Sequence, residues 1–350
     1  MMAKIALVFF GLLGITDLGS GQPLLPAKPV PVTLFWSRKP QLALYSLAWS
    51  PNGKLLAAAG RDTISLYGTP DFAERGSLTS GQGEIWALGW SPSGEFLAAG
   101  GQDGTIRVWD DTQQVKKLVQ GAWIFDLGWN PAGSLLVAVD DSGLAKEWDF
   151  PGGFVRAAIQ LDGDGLGVSW SPKGKTFAVS TGRDGSQVSL FDATSTILRW
   201  RHQDVPTTYQ PPFGYGKDEI NGVSFSPNAK WIASTQQDGR LVIRAADSGR
   251  LVSTVQLHEP GVGGARRVAW SPGSDWLATC GEDGRVNLIR FPHPESRIEL
   301  IQSSKAVWSV AFSPNGEWIA AAGDEGRIWV WNAPGWKGQK KEEYSGVSRQ

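Results

Sequence analysis

Seven times in 350 residues an aromatic side chain is followed by Ser or Asn and then by Pro. The copies are Trp49-Ser50-Pro51, Trp90-Ser91-Pro92, Trp129-Asn130-Pro131, Trp170-Ser171-Pro172, Phe225-Ser226-Pro227, Trp270-Ser271-Pro272 and Phe312-Ser313-Pro314. Successive prolines lie 41, 39, 41, 55, 45 and 42 residues apart. A repeat of this length is one supersecondary unit that cannot bury its apolar face alone, so neighbouring units must stack.

Each anchor precedes a short strand such as Glu95-Phe96-Leu97-Ala98-Ala99, then a turn, then an alternating strand ending in an aromatic. The turns carry hairpin signals: Asp103-Gly104, Ser142-Gly143, Asp184-Gly185, Asp238-Gly239, Asp283-Gly284 and Glu325-Gly326. Glycine there supplies the positive φ that a two-residue hairpin demands. The first unit has Asp62-Thr63 instead and is one residue shorter. With 44 Gly, 21 Pro and 18 Trp, the composition suits many short strands joined by tight turns. The expected fold is all-β, a seven-bladed β-propeller of four-stranded antiparallel blades.

The motif closing the third strands narrows this further. Gln102-Asp103-Gly104-Thr105-Ile106-Arg107-Val108-Trp109-Asp110 is a full match to the terminal motif of the WD40 repeat, which the chain resembles over roughly residues 32–331. Trp148-Asp149, Phe191-Asp192 and Trp331-Asn332 are near matches, whereas Arg244 and Ile289 stand where the family has Trp. The Gly-His pair that opens the family's repeats is missing almost everywhere. Its sole relic is His258, three residues further from its anchor than the family spacing. The family's buried Asp-His-Ser/Thr-Trp hydrogen-bond network is therefore not expected.

The seventh unit ends at Trp331 without an outer strand, and Val32-Thr33-Leu34-Phe35-Trp36 lies before the first anchor without a partner. A bland linker is one reading. Completion of the last blade by this N-terminal strand is preferred, because it removes an exposed edge. The domain expectation is a propeller over 32–336 and a charged, disordered tail over 337–350. Residues 22–31 hold Pro23, Pro26, Pro29 and Pro31 and read as a Pro-rich linker. Ahead of it, Lys4, the apolar stretch Ile5 to Ile15, and Gly19 and Gly21 read as a signal peptide over 1–21. Export to a periplasmic or extracellular compartment follows, with the cytoplasm as the alternative. No segment approaches the length of an integral membrane helix.

The 33 basic and 34 acidic residues give a net charge of -1, unlike the basic excess of a nucleic-acid binder. One cysteine, Cys280, allows no intrachain disulfide. Catalytic constellations are thin. No Gly-x-Ser-x-Gly elbow exists, and His258-Glu259 lacks a second His at zinc-binding spacing. Asp162-Gly163-Asp164-Gly165 begins like a calcium loop but lacks its later acceptors. No cofactor, metal or catalytic residue is assigned.

The inner strands are more informative. Their apolar residues are spaced three and then two: Ile85, Leu88, Trp90; Ile124, Leu127, Trp129; Val307, Val310, Phe312. A strand keeps a spacing of two, so the extra residue implies a bulge that re-aims a side chain. In WD40 propellers this position, four before the anchor, points to the rim of one face. Around the ring it is Trp308, Tyr45, Trp86, Phe125, Leu166, Asn221 and Arg266, with Trp123 beside it. The first five are apolar and the last two polar. Folding back to complete the core is the competing placement, but the blades already carry their own apolar triplets. A long interval over Arg201 to Lys217 adds Tyr209, Phe213 and Tyr215 on the same face.

The functional expectation is a non-catalytic scaffold, monomeric within a complex, that binds another protein or peptide through this face. The alternative is a propeller enzyme or small-ligand binder using the central channel, for which Glu84, Asp164 and Glu219, six before their anchors, are the candidates.

Overall fold

A computed structural model describes residues 33–38, 42–203, 219–259 and 264–332. The expected signal peptide, Pro-rich linker, charged tail and the residues Tyr209, Phe213 and Tyr215 lie outside them. The described residues are all-β and hold no helix long and apolar enough to cross a membrane. They form four-stranded antiparallel sheets arranged like propeller blades.

Blade 3 shows the plan: Ile124–Trp129 innermost, then Leu135–Asp140, Leu144–Asp149 and Val155–Gln160 outward, each antiparallel to the last. Blades 4, 5 and 6 repeat it, with inner strands Gly165–Trp170, Ile220–Phe225 and Ala265–Trp270. Blades 1 and 2 join into one seven-stranded sheet, because the strand Glu74–Trp90 is the outer strand of the first and the inner strand of the second. In blade 7, Val307–Phe312, Trp318–Gly323 and Ile328–Asn332 are followed in the sheet by Thr33–Arg38, which pairs antiparallel with Ile328–Asn332. Each inner strand touches the inner strand of the next blade, and Val307–Phe312 touches Ser46–Trp49.

The anchor motif has a separate job for each residue. The Ser or Asn side chain accepts the backbone N–H five residues on, as Ser91 does from Phe96 (3.0 Å), Asn130 from Leu135 (2.9 Å) and Ser313 from Trp318 (2.9 Å). That bond closes the turn between first and second strands. The aromatic faces the preceding blade. Trp49, Trp90, Trp129, Trp170 and Trp270 each donate Nε1–H to the carbonyl one residue before the preceding blade's anchor, at 2.9–3.3 Å. Phe225 and Phe312 fill the same places by packing alone. Small residues on the second strands, Ala57 to Ala59, Ala98, Ala99 and Ala320 to Ala322, are fully buried and leave room for these rings.

The core is thus divided among blade junctions. Ile64, Leu78, Leu97 and Trp109 pack between blades 1 and 2, and Phe177, Val179, Val168 and Trp170 between blades 3 and 4. Leu44, Trp49, Tyr67 and Phe72 pack against Trp318, Ala320 and Val330 of blade 7.

The hairpin glycines Gly104, Gly143, Gly239, Gly284 and Gly326 take positive φ as expected. At Gly143 a Cβ would also lie 2.8 Å from the Gly163 carbonyl. Two turns depart from the pattern. In blade 1, Asp62 itself enters the left-handed region at φ +58°. In blade 4, Arg183–Gly185 forms a 3-10 turn in which Arg183, not Gly185, holds positive φ.

Candidate functional site

The bulge inferred from spacing is present in each blade whose pairing spans it. Register shifts fall at Ile85/Ala87, opposite Asp126 and Ile124, and at Gly165/Gly167, Ile220/Gly222, Ala265/Arg267 and Val307/Ser309. The skipped residues are Trp86, Phe125, Leu166, Asn221, Arg266 and Trp308. Tyr45 holds the same place just before the strand Ser46–Trp49.

These seven side chains, with Trp123, line one cavity of about 400 Å³. The sequence reading preferred exposure at the rim of one face; these side chains border the cavity, and most of them are half-buried. They turn inward at the start of the inner strands, and the aromatics pack on one another. Only Trp123 is well exposed, at 45%, while Asn221 is buried. The reason is geometric: the six bulges, with Tyr45 at the equivalent place, bring their side chains to one cavity, so neighbouring rings pack on one another.

Trp86 is the centre of the aromatic wall. Its ring lies 4.4 Å from Tyr45, 5.6 Å from Trp308 and 6.4 Å from Phe125, the last two edge-on. Its indole N–H is buried without an acceptor. Tyr45 donates to Glu84 Oε1 at 3.2 Å, and Trp308 Nε1–H to Asp324 Oδ1 at 2.6 Å. Burial first, then the negative charge and hydrogen bond of Glu84 and the charge of Asp324, push the Tyr45 hydroxyl up to about 12.

The opposite wall is polar. Arg266 donates to Asn221 Oδ1 at 2.9 Å, is ion-paired with Glu282, and lies 5.1 Å over the Trp308 ring. Asn221 in turn donates to Gln237 Oε1 and the Ala265 carbonyl. Arg183 pairs with Asp164 at 2.8 Å, and Asp164 and Glu219 also line the cavity.

The sequence reading missed one pair. Arg267 in blade 6 reaches across to blade 3, donating to Asp126 Oδ2 at 2.7 Å and to the Phe125 carbonyl at 2.9 Å. Arg267 lines the cavity and, with Asp126, also a second one of about 200 Å³, whose inner-strand lining includes Ser46, Ser169, Ser224 and Ser309. A signal was there to find. Three residues before the anchor the other blades have Ser46, Ala87, Gly167, Gly222 and Ser309, all small. Asp126 and Arg267 alone are charged there, and with opposite sign.

The family's buried network, not expected from the sequence, is present in blade 6. His258 Nδ1 lies 2.8 Å from Asp283 Oδ1 and Nε2 lies 2.9 Å from Thr279 Oγ1. The longer spacing misled because His258 is fixed by what precedes it: its N–H donates to the Gly239 carbonyl at 3.1 Å. The extra residues follow it. Ile289 leaves the network one member short. In blade 3, Gln120 plays the histidine's part, donating to Asp140 at 2.8 Å and accepting from Trp148 Nε1 at 3.0 Å. Among the described residues no group of three or more His, Cys, Asp or Glu is placed to hold a metal ion.

No curated protein matches the chain. The family profile described as "WD domain, G-beta repeat" matches residues 38–67, 74–110, 209–243, 249–290 and 296–332, together more than half of the chain. Blades 3 and 4 fall in the interval it leaves unmatched, yet they pair and pack as the others do. With the anchors, the four-stranded blades and the His258 network, these matches place the chain in the WD40-repeat family.

Proposed function

We propose that this protein is a non-catalytic platform that holds a segment of another protein at the aromatic and arginine-lined cavity. Repeats of this family generally mediate protein–protein interaction or scaffolding, and such proteins are typically not enzymes. The observation that carries the reading is convergence: one bulge-position side chain from every blade borders a single cavity. Its volume falls within the range of small-ligand and side-chain pockets. Half-buried aromatics and arginines are also the side chains that dominate binding hot spots.

Trp123 gives the cleanest test, since it borders the cavity but is 45% exposed. Trp123→Ala should change stability by about 0.5 kcal/mol or less. Loss of a hot-spot aromatic costs about 2 kcal/mol of binding, roughly a thirtyfold loss of capture by the immobilised protein. Glu95→Lys, exposed in the turn between the inner and second strands of blade 2, should leave capture unchanged. Equal capture by wild type and Trp123→Ala, with Glu95→Lys impaired, would place the docking surface elsewhere.

A further inference from the structure

The two walls of the cavity differ in how their charges are met. On the polar wall each lining guanidinium touches a carboxylate: Arg183 with Asp164, Arg266 with Glu282, Arg267 with Asp126. On the aromatic wall the carboxylates of Glu84 and Asp324 accept only from neutral donors, the Tyr45 hydroxyl and the Trp308 indole. Among the described residues neither makes an ion pair. Arg61, the cross-strand neighbour of Glu84, does not close on it. Both negative charges therefore stand behind rings that line the cavity.

That arrangement suits one kind of visitor. A ring face is the negative end of its quadrupole and attracts a cation within about 6 Å. A carboxylate accepting from the ring's own O–H or N–H polarises the ring further in the same sense. The fold already uses this chemistry once, since the Arg266 guanidinium rests on Trp308. Trp86, whose N–H has no acceptor, is present for its ring alone.

We propose that the wall formed by Tyr45, Trp86 and Trp308, backed by Glu84 and Asp324, receives the cationic end of a lysine or arginine side chain from the docked segment. This rests on the docking reading above and names its chemistry: the partner is basic where it enters the cavity. An acidic side chain is repelled there, and an aliphatic one leaves both carboxylates without a counter-charge.

The test uses short capped peptides of equal length, with a central Lys, Leu or Glu in a Gly-Ser context. Binding to the full-length protein is followed by tryptophan fluorescence at low and high salt. The Lys peptide should bind about tenfold or more tighter than the Glu peptide and weaken with salt, as an incompletely buried charge contact does. Glu84→Gln with Asp324→Asn keeps both hydrogen-bond acceptors and removes both charges. It should cost the Lys peptide roughly tenfold and the Leu peptide nothing, because only the Lys peptide loses a charge attraction. Unequal melting temperatures would disqualify that comparison, and the salt dependence of the wild-type protein then decides. Equal binding of Lys and Leu peptides, insensitive to salt, overturns the cationic chemistry while leaving docking intact. No binding by any peptide overturns it as well, and docking then stands or falls on Trp123.

Discussion

Glu147 sits where the other blades place Leu66, Val108, Leu190, Ile243, Leu288 and Val330, two residues before the end of the third strand. It is 1% exposed, pairs across the sheet with Val137 and Ala157, and neither carboxylate oxygen has a partner. Burial pushes its carboxyl above the ordinary range, with only the distant charge of Arg156 opposing. A raised folded-state value means that the folded chain binds the proton more tightly than the unfolded one. The stabilisation is complete below the unfolded value near 4.3 and is lost as pH rises through the folded value. Glu147→Leu should therefore stabilise the protein at pH 7 by about 1–3 kcal/mol, the cost of an unmet buried polar group. The gain should shrink on acidification, and denaturant melts at pH 4 and pH 7 check it. Asp283 shows the contrary case. Burial raises its carboxyl, but the hydrogen bond and charge of His258 and the N–H groups of Arg285 and Glu259 outweigh it and hold it low. Two buried carboxylates, Glu147 in blade 3 and Asp283 in blade 6, thus shift in opposite directions, because only one was given donors.

At the scale of the element, the inner strand does two things at once. Its last residue stitches to the blade before it, and its bulge turns a side chain toward the axis. The stitch is a single indole N–H to a carbonyl, and the chain tests its worth by using Phe225 and Phe312 in two blades. Trp129→Phe should cost about 1 kcal/mol, the net value of one hydrogen bond. Trp129→Ala should cost roughly 3–5 kcal/mol, since the ring packs on Phe150 at 4.8 Å and on Leu127 and Leu136. Similar losses for the two variants, read from denaturant midpoints, would show that the hydrogen bond and not the ring holds the junction. The turns belong to this scale too. Any residue that tolerates positive φ closes the second hairpin, which is why Asp62 and Arg183 serve where glycine is absent or displaced.

For the whole molecule, the strand Thr33–Arg38 is separated in sequence by almost the entire described chain from its partner Ile328–Asn332. Phe35 lies 4.8 Å from Trp318, and Trp36 stacks 5.4 Å from Phe72 in blade 1. The strand therefore touches both the last blade and the first. A chain beginning after residue 38 exposes the edge of Ile328–Asn332 and the rings these residues cover. It should melt several degrees lower or aggregate. An unchanged midpoint would show that the junction between blades 7 and 1 holds without it. The Arg267–Asp126 pair also joins elements far apart in sequence, linking blades 3 and 6.

Sequence alone determined what is local and repeated. The anchor spacing specified the unit, the hairpin residues specified its turns, and the three-then-two spacing located the bulge at Trp86, Phe125, Leu166, Asn221, Arg266 and Trp308. All of these follow from periodicity and backbone sterics, which act over a few residues. Tertiary structure decided where those bulged side chains go. Whether Trp86 faces solvent or three other rings depends on how close neighbouring blades bring Tyr45, Phe125 and Trp308, and no single repeat records that distance. The same holds for Arg267 and Asp126, which lie 141 residues apart in the chain yet meet because the blades surround one axis. His258 completes the contrast: its place is set by its backbone bond to Gly239 in the hairpin before it, so counting forward to the next anchor measured the wrong interval.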